Sequence, residues 1–275
     1  MVEMKYRPNS HLGPSVKEIV MARESTSDAI SAAAVSNIEE AISDGGPVVR
    51  NFPTPGAPLL NTFYFQYSGD DHHVQQVIAL PDFPENGKIE IGMNDEGRQA
   101  DYFFKVGHYI GHDSRFRQFS RSLDLGVTRQ ATFEGGRPSA SMIFVLSGFQ
   151  LAFRGADHHL DEIGIFESDG TVTVRLNDRN DDDTFVFRVS YCYASRDLFS
   201  SVGLARGSNA KGGARKPIPD GQAVIRGFNM NFRSKDHHIR DLGAVLPGDG
   251  RAEVYFEDKN GDDGFDWSLG WAVLR

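Results

Sequence analysis

Residues 147–164 read SGFQLAFRGADHHLDEIG, and residues 226–243 read RGFNMNFRSKDHHIRDLG. Each stretch alternates large apolar residues with others, then reaches Asp-His-His followed by an aliphatic residue. Phe149, Leu151 and Phe153 share one face in the first, as Phe228, Met230 and Phe232 do in the second. A period of two marks a strand with one buried face. Residues 63–80, FYFQYSGDDHHVQQVIAL, repeat the arrangement, with Phe63, Phe65 and Tyr67 ahead of Asp71-His72-His73. Six of the nine histidines lie in these three pairs. Internal repetition is therefore the first fact about the chain.

The likeness continues downstream. DGTVTVRLNDRNDDDTFVFRVSYCY at 169–193 matches DGRAEVYFEDKNGDDGFDWSLGWAV at 249–273. The first copy is more divergent: GKIEIGMNDEGRQADYFFKVGHYI at 87–110 keeps Asp95 but little of the acidic stretch. Val172, Val174 and Leu176 alternate before that stretch, and Phe185, Phe187, Val189, Tyr191 and Tyr193 alternate after it. That is the pattern of a hairpin with a longer loop. The predicted fold is mainly β: three tandem related antiparallel β-sandwich modules at 49–112, 113–199 and 200–275. Trp267 and Trp271 are expected in the core, because Phe187 and Tyr191 hold the matching positions. The Gly- and Ser-rich run 200–221 reads as a linker or as an excursion opening the third module, and the basic run 111–122 as a connection.

Residues 1–48 read as an N-terminal arm. Ile30, Ala34, Val35, Ile38 and Ile42 form a helical stripe over Ser27–Ile42, closed by Gly45, Gly46 and Pro47. Two roles stay open for this amphipathic helix: packing on the first module, or docking onto a partner or a second copy.

Composition narrows the function. The chain of 275 residues carries 29 basic and 38 acidic residues, a net charge of −9. Such a mean field repels polyanions, so a general nucleic-acid partner is not expected. Cys192 is the single cysteine, which rules out an intrachain disulfide and argues against a Cys-based zinc site. The N-terminal residues lack the apolar core of a secretory signal, and no run reaches the roughly 18 apolar residues of a membrane span. The expectation is a soluble protein made in the cytoplasm, with particle association as one setting.

Three readings of Asp-His-His compete. The histidines can be structural, one packing on the aromatic strand and another bonding to Asp95, Asp178 or Asp258. They can be metal ligands, since neutral imidazole suits transition metals. If the modules surround a pseudo-threefold axis, equivalent residues such as His72, His158 and His237 converge on one transition metal. They can also serve a metal-dependent hydrolase, with Asp orienting His as a base. Neighbouring residues on a strand face opposite ways, so both members of a pair cannot ligate one ion from a regular strand.

The acidic loops offer a second cation. Asp178, Asn180 and Asp182, and likewise Asp258, Asn260 and Asp262, place oxygen ligands at alternate positions, as calcium loops do. The plainer reading is a solvated hairpin tip. Together these features favour a non-enzymatic structural or binding protein, self-associating or joining a particle through its N-terminal arm. The alternative is a lectin-like glycan binder, calcium-linked or using an exposed histidine.

Overall fold

The computed structural model describes residues 16–20, 32–43, 45–53, 55–69, 72–82, 87–95, 100–112, 114–155, 158–179, 183–234, 238–259, 261 and 263–275. Within them the chain is mainly β. Its strands are β1 (Val16–Val20), β2 (Ala32–Ile42), β3 (Val48–Asn51), β4 (Ala57–Tyr67), β5 (Val74–Asp82) and β6 (Lys88–Asp95). They continue as β7 (Tyr102–Gly111), β8 (Phe116–Thr128), β9 (Gln130–Glu134), β10 (Met142–Arg154), β11 (Leu160–Ser168) and β12 (Thr171–Asp178). The last are β13 (Thr184–Ser195), β14 (Phe199–Pro217), β15 (Ala223–Phe232), β16 (Ile239–Val245), β17 (Arg251–Asp258) and β18 (Gly264–Leu274).

Two antiparallel sheets result. One runs β1-β8-β13-β10-β5-β6-β3, and the other β2-β7-β4-β16-β17-β14-β18-β15-β11-β12-β9. Inside them one pairing scheme recurs in each sequence repeat. The first and fourth strands pair (β4 with β7, β10 with β13, β15 with β18). The second and third form a hairpin (β5 with β6, β11 with β12, β16 with β17). The hairpins are exchanged between repeats. β5 pairs with β10, β11 with β15, and β16 with β4, so the exchange closes on itself.

Equivalent side chains consequently meet in the interior. Phe63, Phe149 and Phe228 are all buried and touch one another, with ring centroids 5.1, 4.7 and 5.5 Å apart. Four residues earlier on the same strands, Leu59, Val145 and Val224 join a second apolar cluster with their cross-strand partners Tyr109, Cys192 and Ala272. Burying one such phenylalanine is worth about 1.5–3 kcal/mol, and each aromatic contact adds about 0.5–1.5 kcal/mol.

Three expectations are corrected by the strands. Residues 32–42 form strand β2, paired with β7, rather than the end of a helix; 27–31 lie outside the described residues. Ser36, Ile38, Glu40 and Ile42 turn inward while Asn37, Glu39 and Ala41 face solvent. Positions 34, 38 and 42 are four apart, an even interval that suits a strand as well as a helix. The glycine-rich run 200–221 is also not a loose linker, because most of it is β14. Gly203 and Gly207 stand opposite Trp271 and Trp267 in register. A Cβ at either glycine would fall 2.3 Å from the facing indole, so the absent side chains make room for the tryptophans. Trp267 is a core residue and Trp271 packs against the core. Most of the basic stretch 111–122 likewise enters a strand, β8, along β13. Among the described residues no helix is long and apolar enough to cross a membrane.

Candidate metal centre

Each Asp-His-His follows the first strand of its repeat and precedes the exchanged hairpin. In the first two repeats the adjacent histidines part. The first remains with its own repeat: His72 stacks on Tyr67 at 4.1 Å, and His158 stacks on Phe153 at 4.4 Å. His72 Nδ1 lies 3.1 Å from Asp95 Oδ2, and His158 Nδ1 lies 2.6 Å from Asp183 Oδ2. These are hydrogen bonds in which the ring N–H donates to a carboxylate. Burial pushes the stacked Tyr67 phenol well above its usual range, so that ring stays neutral.

The second histidine of each pair turns to a common point. His73, His159 and His238 have ring centroids 4.5, 4.8 and 5.0 Å apart. One ligand nitrogen from each lies within 4.8 Å of the other two. His159 is buried, while His73 and His238 keep partial exposure. These rings stand one residue past the proposed ligands His72, His158 and His237. His72 and His158 do not join the cluster, and His237 lies outside the described residues.

The backbone fixes this convergence. Val74, Leu160 and Ile239, each the residue after the second histidine, open their hairpin strands opposite Asp95, Asp178 and Asp258. All three aspartates are buried. Asp95 Oδ1 accepts the His73 backbone N–H at 2.8 Å, and Asp258 Oδ2 accepts that of His238 at 3.3 Å. The carbonyls of His159 and His238 accept from Arg179 and Lys259 at 3.0 and 2.9 Å. Ile239 N–H reaches across repeats to the His72 carbonyl at 3.2 Å. Asp95 and Asp258 therefore hold the peptides that aim the His73 and His238 rings.

Three imidazole nitrogens form a borderline donor set that suits zinc, copper, nickel or iron rather than calcium or magnesium. A tetrahedral ion with metal–nitrogen bonds of about 2.0–2.1 Å holds its nitrogens about 3.3 Å apart. Three protein ligands leave a fourth position for water or another ligand.

A second group gathers His158, Asp178 and Asp183, whose ligand atoms also lie within 4.8 Å of one another. Asp178 and Asp258 thus stand buried at strand ends, facing the histidine segments. Asn180, Asp182, Asn260 and Asp262 lie outside the described residues. Sequence reasoning passed over His108, a buried residue on β7 whose Nε2–H donates to the Ser147 carbonyl at 2.8 Å. Its only signal was its place in an alternating strand. Burial lowers its pKa to about 4, so the ring is neutral.

Comparison with known proteins finds no matching family model and no matching curated protein.

Proposed function

We propose that this is a non-enzymatic structural or binding protein whose three related β modules close around a pseudo-threefold axis, clasped at one end by a single transition-metal ion. The observation that carries this reading is the convergence of His73, His159 and His238, one from each repeat. The mutual contact of Phe63, Phe149 and Phe228, one from each repeat, supports it. The exchange of hairpins supports a structural role for the ion, because it ties together segments far apart in sequence.

The test is elemental analysis of tag-free protein, followed by titration of metal-stripped protein with zinc, nickel, cobalt and copper. The expected result is one ion per chain. Replacing His73, His159 or His238 by alanine abolishes uptake, whereas His72→Ala retains it. Failure of all four metals to bind at one equivalent, or equal uptake by His159→Ala, would falsify the clasp.

A further inference from the structure

Away from the histidines, the face formed by β12, β11, β15, β18 and β14 carries a cleft of about 530 Å³. That volume falls within the range of small-molecule sites. Three arginines line it, Arg175, Arg206 and Arg226, against one carboxylate, Glu167. Such a concentration of positive charge is unexpected in a protein of net charge −9.

Arg226 is the informative member. It is the bulge residue of β15, where the register with β18 slips between Ile225 and Gly227. The same slip occurs in the other repeats, between Leu60 and Thr62 and between Leu146 and Gly148. The residues there are Asn61 and Ser147, both short and buried. A bulge re-aims one side chain, and only the third repeat puts a guanidinium in that place. The fold is made twice without it. Arg175 is similarly singular: it stands opposite Gly164, while the matching residue opposite Gly243 is Tyr255.

The chemistry of these arginines is incomplete. Arg226 forms no ion pair or hydrogen bond among the described residues, and its Nε is buried without an acceptor. Burial pulls its pKa below the ordinary arginine value, and Arg137 and Arg196 add like charge. Glu167 opposes them, but its carboxylate already accepts the Gly170 N–H at 2.6 Å and faces Arg137 at 3.6 Å. Arg175 holds Glu162 through one terminal nitrogen at 2.6 Å, stacks over Phe166, and leaves its own buried Nε without an acceptor. Two planar forks with unfilled donors, in one polar cleft, suit an oxyanion.

We infer that this cleft is a binding site for a small oxyanion-bearing molecule, with Arg226 as its anchor and Arg175 and Arg206 as flanking donors. Phosphate and carboxylate share the required chemistry, and the site is independent of the histidine cluster.

The experiment is isothermal titration calorimetry of metal-stripped protein at low salt, with inorganic phosphate, pyrophosphate and citrate as separate probes. Saturable binding of at least one probe is expected, with Kd below about 1 mM. Arg226→Gln weakens it at least about tenfold, and raised salt weakens it further. Arg251→Gln, outside the cleft and paired with Asp249, leaves it unchanged. Preference for the phosphates or for citrate separates the two sources of the anion. Arg206→Gln serves as the second variant if Arg226→Gln fails to fold. No saturable binding of any probe, or undiminished binding in the folded arginine variants, overturns the site.

Discussion

Two adjacent histidines with opposite assignments are the central feature at the level of single residues. His158 is fully buried between Phe153 and Asp183, while His159 leaves its repeat to meet His73 and His238. The alternation argument applied only to histidines within a strand, and His72, His73, His158, His159 and His238 all stand outside the strands. Residues between strands carry no hydrophobic period from which the direction of a side chain could be read. The division gives a sharp contrast between variants. His158→Ala removes a buried ring and leaves the Asp183 carboxylate short of its donor, so it should cost about 2–4 kcal/mol in urea unfolding yet retain the metal. His108 gives a different test. Its folded pKa of about 4 lies below the ordinary value of 6.5, so the native state favours the neutral ring. Stability from this source is complete above pH about 6.5, falls as the pH drops toward 4, and then levels off. The full difference is worth about 3 kcal/mol. His108→Gln should flatten that part of the curve, measured as unfolding free energy at pH 7 and near pH 4.5. Equal acid sensitivity in both proteins would reject the assignment.

Among the elements, most strands were legible, while β2 and β14 were misread for different reasons. β12 alternates buried and outward residues along its whole length, and β10, β13, β15 and β18 do so over part of theirs, which is what a half-buried strand requires. β2 misled because its apolar residues sit four apart, serving helix and strand alike. β14 misled because glycine-rich composition signals a loop, while here Gly203 and Gly207 are the complement of Trp271 and Trp267. A glycine read without its cross-strand partner cannot reveal that. Close approach also constrains the exchange itself. Gly148 lies where β10 meets β5, and a Cβ there would sit 2.4 Å from the Ala79 carbonyl oxygen. The obstacle is backbone, which cannot swing aside, so Gly148→Ala should destabilise by about 1–3 kcal/mol. Gly46→Ala is the control, since its Cβ would meet nothing nearer than 3.6 Å. A lower urea midpoint for Gly148→Ala alone is the expected outcome, and matching midpoints would contradict it.

For the whole molecule, the repetition was plain in the sequence, while the exchange of hairpins between repeats was not. Alternation specifies which face of a strand is buried and says nothing about which repeat supplies its neighbour. The closed exchange makes each repeat dependent on the others: β10 needs β5, β11 needs β15, and β16 needs β4. It also makes a metal at His73, His159 and His238 a cross-link between three distant segments of chain. An ion held by the folded state and not by the unfolded one stabilises by mass action, about 2.7 kcal/mol when free metal exceeds Kd a hundredfold. For a domain of this size each kcal/mol moves Tm by about 2–4 °C. Metal-stripped protein should therefore melt about 5–10 °C below protein with excess metal, and a chelator should restore the lower value. His72→Ala should keep that difference and His238→Ala should lose it, although both remove one imidazole near the same end of the fold. This pairing separates a clasp from general metal adhesion: a shift that survives His238→Ala comes from elsewhere on the surface, and the triplet is then a packing device alone.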